Sequence, residues 1–176
     1  MIWKLSTLLV ALALLAGTSM ADIITQGLAL TPGERTLTSL TLRSVGSEQD
    51  LVTLRVGADG ARNMKGYGFI VTFDPDRFAY VSAVETSESM ITPGGTAALL
   101  VAKNHEAGRV AVGAIQVDGS SASGEGSLVD LTFRVLGDTG LGDFRLAEGV
   151  VVDLAGQATS VTPTVLENIG VEPRDY

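Results

Sequence analysis

Catalytic chemistry in this chain would have to be built around His105, the only histidine, which lies beside Glu106 in the segment KNHEAG at residues 103–108. A serine nucleophile needs a histidine that a carboxylate holds close to the hydroxyl on a rigid element. His105 falls instead in a turn expected between two apolar runs, where its ring is solvated. Cysteine is absent, so thiol catalysis is excluded, and one histidine falls short of the ligands that zinc takes unless carboxylates supply the rest. Calcium would use oxygen ligands, and Asp74-Pro75-Asp76 and residues 138–143 carry carboxylates. Neither has the alternating acidic pattern of a calcium-binding loop, so both are read as turns, and neither metal nor cofactor is expected. Paired carboxylates for glycoside hydrolysis meet in space and not in sequence, so spacing does not exclude them. A glycine-rich, aromatic-poor chain nevertheless lacks the long loops that build a sugar cleft. Gly94-Gly95 and the glycines of residues 118–127 open no helix, so a phosphate cradle is not indicated. The expectation is a binding protein and not an enzyme.

The elements that position these side chains begin after an export signal. Met1 to Ala21 carries a single positive charge at Lys4, an apolar run over residues 5–16, and Ser19-Met20-Ala21 as a small-residue cleavage pattern. The run is shorter than the roughly 18 to 20 residues that cross a bilayer, so residues 1–21 are expected to be cleaved, leaving no membrane span. No cysteine offers a lipid site and no apolar stretch near Tyr176 offers a second anchor. The product is expected to be secreted or periplasmic, with residues 22–161 as one domain and residues 162–176, interrupted by Pro163 and Pro173, as a tail. Without cysteine in an oxidising compartment, stability has to come from the core. The formal net charge of −8, with Lys and Arg spread singly, argues against nucleic acid as a partner.

Within that domain the signal is alternation with period two. Residues 37–45 and 51–56 read as strands, the second with Val52, Leu54 and Val56 on one face. A polar loop is expected around Asp59-Gly60 and Asn63. Residues 66–73 then place Tyr67, Phe69, Val71 and Phe73 inward and leave Gly68, Ile70 and Thr72 outward. Asp74-Pro75-Asp76 makes a corner before a strand at residues 78–84. Residues 96–102 and 109–117 read as a hairpin, and residues 118–127, DGSSASGEGS, as a mobile loop. Residues 128–135 bury Val129, Leu131, Phe133 and Val135; residues 144–146 and 150–154 close the set around a Glu148-Gly149 turn. About eight or nine short strands without helices pack as an all-β, two-sheet sandwich.

Three segments, GYGFIVTFDPDRFAYVSAV at 66–84, GRVAVGAIQ at 108–116 and GEGSLVDLTFRVL at 124–136, resemble the cohesin domain and its relatives among the carbohydrate-binding modules. Their order and spacing match the family over residues 51–154. The resemblance implies a jelly-roll sandwich and a non-catalytic role, either docking a protein partner or binding polysaccharide. It also implies that the strand at 66–73 contributes to the face that receives dockerin, which makes Ile70 and Thr72 the partner-binding candidates, with Ile70 exposed between small residues. Sugar binding normally uses solvent-facing rings; Trp3 leaves with the signal, and Tyr67, Phe69, Phe73 and Phe133 are on the inward face, while Phe78, Tyr80 and Phe144 are ambiguous. This favours a protein partner over polysaccharide. A structural surface domain without a specific ligand is the third reading.

Overall fold

Alternation that buries every second side chain has to close two sheets on one another, and the chain does so. The computed structural model describes residues 38–48, 50–93, 98–136 and 144–161. These form eight strands: β1 (Ser39–Glu48), β2 (Leu51–Thr72), β3 (Phe78–Glu85), β4 (Ala98–Glu106), β5 (Arg109–Gln116), β6 (Ala122–Val135), β7 (Arg145–Asp153) and β8 (Ala158–Ser160). Every pairing between strands is antiparallel. The signal, residues 138–143 and the tail lie outside the described residues.

The 22-residue β2 belongs to both layers. Its first half lies between β1 and β6, with β3 beyond β6; its second half lies between β5 and β7, with β4 and β8 at the two edges. The layers are therefore β1-β2-β6-β3 and β8-β7-β2-β5-β4. Between them rings from both sides interlock: Phe133 of β6 meets Phe73 at 5.0 Å and Phe144 at 4.8 Å, and Phe78 of β3 meets Phe144 at 4.5 Å. Such edge and tilted contacts add to the burial of large rings. Val52, Leu54, Val56, Phe69, Val71, Phe73, Leu131 and Phe133 are buried as the alternation requires, and Phe78 and Phe144 join them.

Three local expectations need correction. The polar loop at 59–63 is a corner inside one continuous strand: the β2–β6 register shifts at Ala58, Ala61 and Met64, and Gly60 and Asn63 take left-handed φ of 68° and 49°. Turn-type residues here bend the strand without ending it, because β6 bends alongside. For the same reason residues 122–127 of the serine- and glycine-rich stretch are strand and not loop. Gly124 pairs with Ala61, Ala122 with Met64, and the Asn63 amide donates to Ser123 Oγ at 2.9 Å. Only Asp118 to Ser121 turn, with Asp118 Oδ1 accepting from the Ser120 amide and hydroxyl. Finally, the Glu148-Gly149 turn is absent: β7 runs through it, and the shift from Ile70↔Glu148 to Val71↔Leu146 leaves Ala147 as the bulged residue.

The Asp74-Pro75-Asp76 corner is a turn as expected, with the Phe78 amide donating to Asp74 O at 3.0 Å and the Asp76 amide to Asp74 Oδ1 at 3.0 Å. Gly108, at φ +75°, closes against it. The Phe73 amide donates to Gly108 O, and a Cβ at this position would lie 2.5 Å from Phe73 O. Glycine is required there on both counts.

Candidate interaction face

The two layers turn very different faces to solvent. On the outside of β1-β2-β6-β3, ion pairs cross the middle strands, while Val81 and Val84 are exposed on the edge strand β3. Arg55 Nε and Nη2 each donate to one oxygen of Asp130 at 2.7 Å, a bidentate pair, and Arg134 meets Asp50 at 3.2 Å. The hydrogen bonds to Asp130 raise the Arg55 pKa. Arg43 stands opposite Arg55 and Thr53 opposite Thr132.

The outside of β8-β7-β2-β5-β4 follows from the register as four successive rows. The first joins Leu99, Ile115, Gly66 and Val152, and the second Val101, Gly113, Gly68 and Val150. The third joins Lys103, Ala111, Ile70 and Glu148, and the fourth Glu106, Arg109, Thr72 and Arg145. Half of this face is thus free of charge and floored by three glycines, while the other half gathers five charged residues. Gly66 is held to glycine by close approach, since a Cβ there would lie 2.7 Å from Ala114 O. Leu99, at the β4 edge, is 47% exposed.

Ile70 and Thr72 point to this outer face, as the alternation indicates, but Ile70 is not exposed. It is only 3% accessible and forms a small cluster with Val150, against which Ala111 and Ala158 pack. Arg109 on β5 reaches Glu148 on β7, Nη2 to Oε1 at 3.4 Å. Those strands flank β2, so the pair crosses above Ile70 and Thr72. Long charged side chains cover apolar surface in this way with their stems. Thr72 keeps partial exposure, and its hydroxyl lies 3.5 Å from Arg145 O.

The remaining candidates are dispersed. His105 is not in a solvated turn as expected: β4 runs on to Glu106, so His105 lies in the strand, partly buried, and Glu106 faces Arg109 across the strand pair. Among the described residues no three His, Cys, Asp or Glu side chains gather as a metal site would need. Six of the seven described aromatic residues are buried; Tyr80, half-buried, leans on Phe133 with ring centroids 5.9 Å apart. The Arg109–Glu148 contact and the three-glycine floor depend on the register between strands, which alternation within a strand does not reveal. The floor did leave a signal, because Gly66 and Gly68 alternate with inward aromatics in GYGFI.

This architecture is that of solved β-sandwich modules of one kind. The second type II cohesin module of the adaptor scaffoldin ScaA from Acetivibrio cellulolyticus aligns over 80% of this chain and 100% of its own, with a TM-score of 0.63 at 13% identity. The sixth cohesin of scaffoldin B from the same organism, solved in complex with a dockerin, aligns over 72% and 94%, with a TM-score of 0.58 at 17% identity. A non-cellulosomal cohesin from the archaeon Archaeoglobus fulgidus aligns over 72% and 85%, with a TM-score of 0.56 at 20% identity. At such identities the likeness establishes the fold. The chain itself belongs to the cohesin domain family, whose sequence pattern it matches over residues 38–172. No curated protein matches the sequence.

Proposed function

We propose that this protein is a secreted, non-catalytic docking module that binds a protein partner through the outer face of β8-β7-β2-β5-β4. The observation that carries the reading is the uncharged half of that face, floored by Gly66, Gly68 and Gly113 and edged by Leu99 and Val101. The three glycines and Val150 and Val152 are themselves buried, so the apolar contact on offer comes from Leu99, Val101 and Ile115, and exposed apolar side chains beside a charged margin suit a protein interface, which has an apolar centre and a polar rim. The opposite layer also exposes apolar side chains, Val81 at 44% and Val84 at 59%, but they stand on its edge strand β3, and its middle is crossed by the Arg55–Asp130 pair. Membership of the cohesin family and the dockerin bound to one solved relative support a dockerin as the class of partner. Ile70 lies in the row that borders the apolar half of the face, and Thr72 in the next row out, among Glu106, Arg109 and Arg145. Polysaccharide is the second reading, and the burial of the aromatic rings weighs against it. Export follows from residues 1–21, with cleavage after Ala21.

The test is binding of the chain without residues 1–21 to a set of purified dockerin modules, alongside cellulose and chitin. Saturable capture of a dockerin is expected, lost in Leu99→Asp and kept in Val84→Asp, which changes a side chain 59% exposed on the other layer. Binding of a glycan with no dockerin, or capture indifferent to Leu99→Asp, would overturn the reading.

A further inference from the structure

Arg109 is tied loosely for a residue in its position. Its contact with Glu148 is single and long, at 3.4 Å, whereas Arg55 holds Asp130 through two bonds of 2.7 Å. The Arg109 Nε is buried and has no acceptor among the described residues. A buried donor without an acceptor is a standing cost that a better acceptor removes. Both side chains of the pair are about one-third exposed, at 36% and 34%, so they can swing outward. Beneath them lies the Ile70–Val150 cluster, packed outside the main core and continuous with the apolar rows of the same face. Around it are three cations, Lys103, Arg109 and Arg145, against two carboxylates, Glu106 and Glu148, in a chain whose net charge is −8.

We infer that the Arg109–Glu148 pair is a strap over the docking face, closed in the free protein, which opens when a partner presents a carboxylate to Arg109 and thereby uncovers Ile70 and Val150. The inference rests on the docking reading for its biological use and adds to it the chemistry of the partner: an acidic side chain next to an apolar one. The competing carboxylate takes Arg109 in the geometry that Glu148 does not reach. Ile70 and Val150 then extend the apolar rows toward the charged margin.

Because the chain has no cysteine, one introduced thiol reports on this strap without any partner. In Ile70→Cys, the rate of modification by a maleimide measures how often the strap is open. Labelling is expected to be much slower than in Val84→Cys, where the side chain is 59% exposed. It should accelerate about two- to fivefold when Glu148→Gln is added or when salt is raised to about 1 M, the range expected for a partly exposed ion pair. An oligo-aspartate peptide should accelerate it further than sodium chloride at matched ionic strength, while Val84→Cys responds to neither. If Ile70→Cys unfolds, Val150→Cys reads the same cluster. Labelling as fast as at position 84, or a rate unchanged by Glu148→Gln, sinks the strap; equal rates in oligo-aspartate and chloride sink the carboxylate. Failure to bind any dockerin would leave these rates standing, so the two readings fail separately.

Discussion

Glu85 illustrates how a single side chain can make this fold sensitive to pH. Its Oε1 is buried without a hydrogen-bond partner among the described residues, and the same is true of Tyr67 Oη, Thr86 Oγ1, Ser89 Oγ and Gln116 Oε1. The Gln116 amide nitrogen, by contrast, donates to Ile91 O. Burial raises the Glu85 carboxyl above its ordinary 4.5, partly countered by a hydrogen bond from Thr92. Burial, and then the charge of Glu85, pushes the Tyr67 hydroxyl upward as well. An acid whose pKa is higher folded than unfolded holds its proton more tightly in the native state, so its ionisation destabilises the fold as pH rises through that window. Glu85→Gln is therefore expected to be more stable than the parent at pH 7, with the advantage vanishing below about pH 4.5; urea midpoints at the two pH values measure it. A parent that is the more stable at pH 7 would refute the assignment. At this scale the sequence told which face Ile70 occupies, because alternation is local. It could not tell that Ile70 is covered, because Arg109 and Glu148 stand 39 residues apart and meet only across β2.

At the scale of elements, the corner of β2 is where local reasoning ran out. Asp59, Gly60 and Asn63 are residues that end strands in isolation, so their pattern alone predicts a loop. They bend the strand instead because β6, some 60 residues later, supplies partners on the far side of the bend, including Ser123 for the Asn63 amide. Asn63 holds φ 49°, a conformation that asparagine tolerates and β-branched residues do not. Asn63→Val should therefore cost about 1–2 kcal/mol of stability and Asn63→Gly about 0.5 kcal/mol or less in either direction. Equal urea midpoints for the Val and Gly variants would show that the corner is not set by that residue. The strands with uninterrupted alternation, at 51–56, 66–73 and 128–135, were legible with their buried faces. What escaped was continuity, since irregularities that look like breaks are absorbed by a partner distant in sequence.

The molecule as a whole is joined by β2 and β6, which pass from one layer toward the other at the shared corner. Neither layer can lose its pairing without disturbing a strand the other one uses, so unfolding is expected as one transition. Far-ultraviolet circular dichroism and the near-ultraviolet signal of the buried Tyr67 should share a midpoint in urea; two separated midpoints would show independent layers. The three segments that carried the family resemblance correspond to the second half of β2, the Asp74-Pro75-Asp76 turn and β3, to β5, and to most of β6, which is why the fold was readable from less than half of the chain. The double membership of β2 also sets a clock. Its second half acquires one neighbour only when residues 145–153 of β7 arrive, and pairings so distant in sequence form slowly because the loop must close before any contact rewards it. During synthesis at about 5–20 residues per second, the longest strand waits for a partner that begins some 70 residues after its own end. If the chain is exported as proposed above, such a delay would suit passage through a translocation pore before folding is complete.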